Sequence, residues 1–303
     1  MKTKDTFHPK ITESDRSSYI EDGRFTKNLF TMVIFSLPVI YLSIILAVFI
    51  HEVVGHGLIT VLLGGQFTGF GIHLDGLGWA NIECADLPML SKILIFFGGA
   101  FSTTVFALLS FTLSIMYRKS RFASLAFLLF AVVSLLDGAP YIFWDAIYLS
   151  GVGDFSMVWL LYRSDAMRNV LIGFSGLIML VGIVGFNFQY YRIASRWLGE
   201  GKMIKRKGWI SFSLLVFLLQ AAAWFSFDWD QLIPGVGLLP SVVGVVIALL
   251  TILPLVAYHE ERSAQEAWSR SSHARAYIGG AWIVCIGVIF MIKKWLQNGI
   301  MFS

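Results

Sequence analysis

The sequence predicts an all-α polytopic membrane protein of about seven transmembrane helices, with a small membrane-associated β-hairpin after the first helix. Three observations carry this expectation. The 303 residues are 57% hydrophobic and only 14% charged, with a mean hydropathy of +0.73, whereas soluble domains carry roughly 25% charge and 45–50% apolar residues. The apolar residues gather into runs long enough to cross a bilayer, which takes about 20 residues of helix. Between the first two runs, the Gly-rich stretch GGQFTGFGIHLDGLGWANIE (64–83) carries the pattern of two short strands.

The runs fall at 32–63, 90–116, 122–149, 169–189, 209–227, 235–257 and 276–296. The first is too long for one upright crossing, and Pro38 is expected to break it, because proline removes a backbone donor and crowds the preceding turn. The third contains Pro140. Residues 1–28 are polar and mixed in charge, with no short apolar segment ending in small residues, so the first run is expected to stay as an anchor and not to be cleaved. Ser164-Asp165 reads as the N-cap of the fourth span.

Basic residues set the expected orientation. YRKSR (117–121), RIASRWLGEGKMIKRKG (192–208), and Arg262, Arg270 and Arg275 lie in alternate loops, and the intervening loops hold Asp75, Glu83, Asp86, Asp228 and Asp230. The N-terminus is therefore expected in the cytoplasm, with the chain a multi-pass protein of the plasma (inner) membrane of a prokaryote. A net charge of +4 spread through loops signals orientation and not nucleic-acid binding. Cys84 and Cys285 are too few and too far apart for a disulfide framework, and read as small apolar residues.

In 64–83, Asp75-Gly76 supplies the positive φ of a tight turn. Phe70, Ile72 and Leu74 alternate before it; Leu77, Trp79 and Ile82 follow less regularly. An open strand edge cannot face lipid, where its backbone groups would lack partners. It must face protein, water or an extended peptide.

The chemistry concentrates in IHEVVGHGL (50–58), inside the first apolar run. Ionisable residues are costly in a membrane span and mark function by default. Two histidines flanking a glutamate suit a zinc hydrolase, with His51 and His56 on the metal and Glu52 handling the proton of an activated water. The spacing is unusual. In H-E-x-x-H the histidines share one helical face, whereas His51 and His56 are five apart, about 140° around a regular helix. A π-bulge would absorb the extra residue and bring them together, and Gly55 is a permissive place for it. The site is a metal site if the helix is bulged.

The string resembles the H-E-x-x-G-H zinc motif of dipeptidyl peptidase III, although the rest of the chain does not. HEERSAQE (259–266) is similar to that family's acidic motif but reads as a solvated connecting loop. The larger resemblance is to the site-2 protease-like family of intramembrane zinc metalloproteases, over roughly residues 45–165. It rests on the order of features: the His51-Glu52…His56 helix, the small-residue run GHGLITVLLGG, the hairpin, the Gly-rich FFGGAFSTTVFALL (96–109), and an Asp-bearing segment.

The resemblance implies Zn²⁺ as cofactor and an Asp as third ligand. Asp154, in LSGVGDFSMVW, follows a glycine turn and opens an apolar run; Asp137, in SLLDGAP, is the alternative and matches the family's L-D-G literally; Asp145, in FWDAIY, ranks third. The ordinary roles open to them are a helix cap, a turn residue and an interhelical hydrogen bond. His73 reads as an exposed imidazole on the hairpin. The implied organisation is a polar segment 1–28, a catalytic membrane core 29–168 and a C-terminal four-helix membrane region 169–303. The implied activity is zinc-dependent hydrolysis of peptide bonds in or next to membrane-spanning substrates. The expected partners are a membrane-protein or peptide substrate and the lipid bilayer, and no nucleic acid. The hairpin could hold an unwound substrate by β-augmentation. An intramembrane zinc hydrolase cutting a lipid amide, and a transporter or scaffold binding an ion or proton, are the competing readings.

Overall fold

In the computed structural model, which describes residues 13–149, 153–198 and 271–302, the first apolar run is one helical rod that changes pitch. α1 (Glu13–Phe49) continues into a π-helix (Ile50–Leu58) and then α2 (Ile59–Leu62). Pro38 lies inside α1 and does not break it, contrary to the sequence expectation. Proline is tolerated in membrane helices because neighbouring groups and small local adjustments satisfy the freed backbone.

β1 (Gln66–Ile72) and β2 (Gly78–Glu83) follow and pair antiparallel, with Ile72 opposite Gly78 and Gln66 opposite Glu83. Gly76 between them has φ of +85°, which suits a residue without Cβ. α3 (Met89–Met116) and α4 (Arg121–Leu136) form the next two helices. The third apolar run is interrupted at Asp137-Gly138, and Pro140 sits in the first turn of α5 (Ala139–Tyr148). There its missing N–H costs nothing, since first-turn donors have no partner within the helix. The short α6 (Asp154–Tyr162) and the long α7 (Asp165–Leu198) complete this part. Ser164 caps α7 as expected, accepting from the Met167 N–H at 3.3 Å.

α8 (Ser271–Met291) runs into a second π-helix (Ile292–Leu296) and then β3 (Ile300–Met301). β3 pairs with β1, giving a three-stranded sheet of order β2-β1-β3. The sequence offered no sign of this third strand. Ile292 and Leu296 pack with Ile45, Val48, Phe70 and Ile72, which ties the sheet to the first helical rod.

Among the described residues, five helical stretches are long and apolar enough to cross a membrane: Lys27–Leu62, Met89–Met116, Arg121–Ile147, Asp165–Trp197 and Ala274–Leu296. They match five of the seven expected spans; 209–227 and 235–257 lie outside the described residues, as does the 259–266 loop. The chain is an integral, multi-pass membrane protein. Both cysteines are free, Cys285 buried and Cys84 half-buried.

Candidate metal centre

The π-helix sets the geometry of the histidines. Its i→i+5 repeat stacks residues five apart on one face, and the His51 and His56 rings lie 5.0 Å between centroids. Both are buried, at 7% and 6% exposure. The bulge expected from the spacing is therefore present, extended over the whole of Ile50–Leu58.

Glycines bring α3 against this helix. A Cβ on Gly55 would lie 2.6 Å from the Gly99 nitrogen and 2.7 Å from the Gly98 oxygen, so only hydrogen fits at this crossing. A Cβ on Gly99 would lie 2.7 Å from His56 Nε2 and would also strike the His51 ring. Small residues permit such backbone approach between membrane helices. Ser102 of α3 also donates to the Ile50 carbonyl at 3.3 Å, at the start of the π-helix.

Each imidazole is held at Nδ1. His51 Nδ1 lies 3.1 Å from Asp137 Oδ2, and His56 Nδ1 lies 2.8 Å from the Ile95 carbonyl oxygen. Both Nε2 atoms turn to Asp154: His51 Nε2 is 3.0 Å from Oδ2 and His56 Nε2 is 3.2 Å from Oδ1. Burial alone would disfavour ionisation of Asp154, but its hydrogen bonds to His51 and His56 hold its carboxyl well below the usual carboxylate range. Tyr141 packs edge-on to His51, with centroids 5.8 Å apart.

His51, His56 and Asp154 each offer one ligand atom, and these atoms lie within 4.8 Å of one another. The set fits zinc. A tetrahedral site with arms of about 2.0–2.1 Å has ligand–ligand edges of about 3.3 Å; here one ligand atom from each residue lies within 4.8 Å of the others, with one Asp154 oxygen facing each imidazole at 3.0 and 3.2 Å. Two imidazole nitrogens and one carboxylate are a usual donor set, and three protein ligands leave the fourth position for water. Carbonyl and carboxylate acceptors on the far nitrogens are what metal-binding histidines need to fix the ring and tautomer.

Of the three candidate aspartates, the structure brings Asp154 to both Nε2 atoms and Asp137 to the back of His51. Asp145 does not reach the histidines; it is buried at 6% exposure against the start of α6. His73 is half-buried on the turn between β1 and β2, apart from the cluster. Glu52 is half-buried and points under the sheet: a Cβ on Gly78 would lie 3.2 Å from Glu52 Oε1. Sequence reasoning missed Gly78, Tyr141 and the Ile95 carbonyl. Only Tyr141 left a trace, four residues before Asp145 and so on the same helical face.

A buried His-His-Asp group that could hold a metal ion, inside a bundle of membrane-length helices, defines the class: a membrane protein with a candidate metal centre. The model of the Peptidase M50B-like family matches residues 28–196, more than half of the chain, and the protein belongs to that family. The match is consistent with a site-2 protease-like family and points to a membrane metallopeptidase of that type. No curated protein matches the chain, and no solved structure does.

Proposed function

We propose that the protein is a zinc-dependent intramembrane protease, hydrolysing peptide bonds in or next to membrane-spanning segments. The observation that carries this is the convergence of His51 Nε2, His56 Nε2 and the Asp154 carboxylate, with both Nδ1 atoms engaged elsewhere. In this reading those three residues hold zinc, Asp137 orients His51, and Glu52 is the general base. Bound zinc would polarise the scissile carbonyl and acidify a water molecule. Glu52 takes the proton of the attacking water and delivers it to the departing amine nitrogen. One C–O bond forms and one C–N bond breaks.

A lipid amide would need the same base and ligands. The peptide reading is favoured by the sheet: β2 is an edge strand among the described residues, and its Gly78 lies against Glu52. An extended peptide added to that edge by β-augmentation would pass beside the general base. β1, by contrast, is paired on both sides at Gly69 and Phe70, so the docking edge belongs to β2. The family match supports a peptidase. The basic loops support a cytoplasmic N-terminus.

The deciding experiment compares purified wild type with Glu52→Gln for zinc content and for cleavage of membrane-spanning peptides. Wild type should carry close to one zinc and cleave; Glu52→Gln should carry zinc and not cleave. Wild type with less than about a tenth of an equivalent of metal would sink the proposal, because a catalytic site should be occupied.

A further inference from the structure

We infer that α5 acts as an external cap for α6 and thereby positions Asp154, with Asp145 and Tyr141 as positioning residues. This rests on the reading of Asp154 as a metal ligand. A helix begins with N–H groups that lack internal partners, and usually the residue just before it supplies an oxygen to the third-position N–H. The residue before α6 is Gly153, which has no side chain to offer. That third-position donor is Ser156 N–H, and it bonds to Asp145 Oδ2 at 2.8 Å, from a different helix. The Ser156 hydroxyl donates to the other oxygen, Oδ1, at 2.5 Å. The first-position donor, Asp154 N–H, goes to the Tyr141 hydroxyl at 3.3 Å.

Tyr141 and Asp145 are four residues apart, so one face of α5 serves both bonds. The other end of α5 is held as well: Arg168 of α7 donates to the Ala146 and Ile147 carbonyls at 2.7 and 2.9 Å. Phe155, fully buried, fixes the same turn by packing with Ala100, Ile142 and Ala146. Asp154 is thus carried on a turn whose donors are met from α5 and whose first apolar side chain is locked between α3 and α5.

Gly153 explains why the cap comes from outside. Its φ of −83° and ψ of 163° suit any residue, so its backbone does not demand glycine. Space does: a Cβ at Gly153 would fall onto the Asp145 carboxylate. A local cap and the external one compete for the same place. This predicts a reversal. Asp145→Ala alone removes the external cap; Gly153→Ser alone drives a side chain into the carboxylate; combined, the serine occupies the vacated space and caps Ser156 N–H itself.

The test uses the purified full-length protein, measuring zinc affinity by chelator competition and amide exchange across 153–162. Asp145→Ala should weaken zinc binding about 10–100-fold, as loss of partners behind a ligand does, and should speed exchange in the first turn of α6 roughly fivefold, as loss of a cap does. Asp145→Asn, which keeps an acceptor, should fall between. Gly153→Ser should also lose affinity, and the double variant should regain most of both properties. Wild-type exchange and affinity in Asp145→Ala, or a double variant no better than its worse parent, would overturn the proposal. Asp154→Asn with undiminished zinc affinity would instead overturn the ligand assignment beneath it, whatever α6 exchange showed.

Discussion

Gly55→Ala adds one methyl group where the π-helix crosses α3, and the structure sets its effect. The methyl carbon would stand 2.6 Å from the Gly99 nitrogen and 2.7 Å from the Gly98 oxygen, against an ordinary contact of about 3.5 Å. Both neighbours are backbone atoms and cannot rotate aside. Relief requires α3 to withdraw by about 1 Å. Gly99 lies directly under the His51 and His56 rings, so the withdrawal reaches the ligand set. Overpacking of this kind costs about 1–3 kcal/mol, and a 1 Å misplacement of reacting groups costs on the order of a hundredfold in rate. Gly55→Ala should therefore lower kcat/KM about a hundredfold, with weaker zinc retention, measured by cleavage of a membrane-spanning peptide and by chelator competition. Gly55→Leu should be inactive. Deleting Gly55 gives the regular H-E-x-x-H spacing but turns everything after it by about 100°, misdirecting α2 and the sheet; it should also be inactive. Wild-type zinc affinity and turnover in Gly55→Ala would refute the reasoning, since the crossing would then not depend on the missing Cβ.

Three further outcomes are expected. His51→Ala and His56→Ala should each abolish zinc retention, measured by metal analysis; if Glu52→Gln lost metal and His51→Ala kept it, the ligand pair would be Glu52 and His56. Asp154→Asn should weaken zinc binding more than Asp137→Asn, because one loses a ligand and the other an orienting acceptor whose removal costs about 10–100-fold; the opposite ranking would exchange the two roles. Photo-crosslinkers in β2 at Trp79 or Asn81 should capture substrate peptide, and those at Gly69 or Phe70 in β1 should not; capture at β1 alone would move the docking edge.

Much of the site was legible because its parts are local. His51, Glu52 and His56 lie within six residues, and their spacing demanded a departure from regular helix that the chain makes. The apolar runs were equally plain, since membrane length imposes itself on composition. What the sequence could rank but not fix was non-local. Asp137, Asp145 and Asp154 are one residue type in similar apolar settings, and only the path of α5 and α6 assigns one to the back of His51, one to Ser156 and one to both Nε2 atoms. The literal L-D-G match, ranked second to Asp154, lies at the back of His51. Pro38 misled because the rule for proline was applied to an isolated helix, whereas this one is packed against neighbours. β3 left no pattern, because two residues cannot show a strand period.

The pairing of Met301 with Gly69 also sets a timetable. A chain made from its N-terminus produces the His51–His56 helix and the first hairpin early, but the strand that closes the outer side of β1 emerges only after α8. Until then both margins of the sheet are open, and α8 has not brought Ile292 and Leu296 against Phe70 and Ile72. Completion of the three-stranded sheet thus waits on the last described span, long after the helix that carries His51 and His56 has been made.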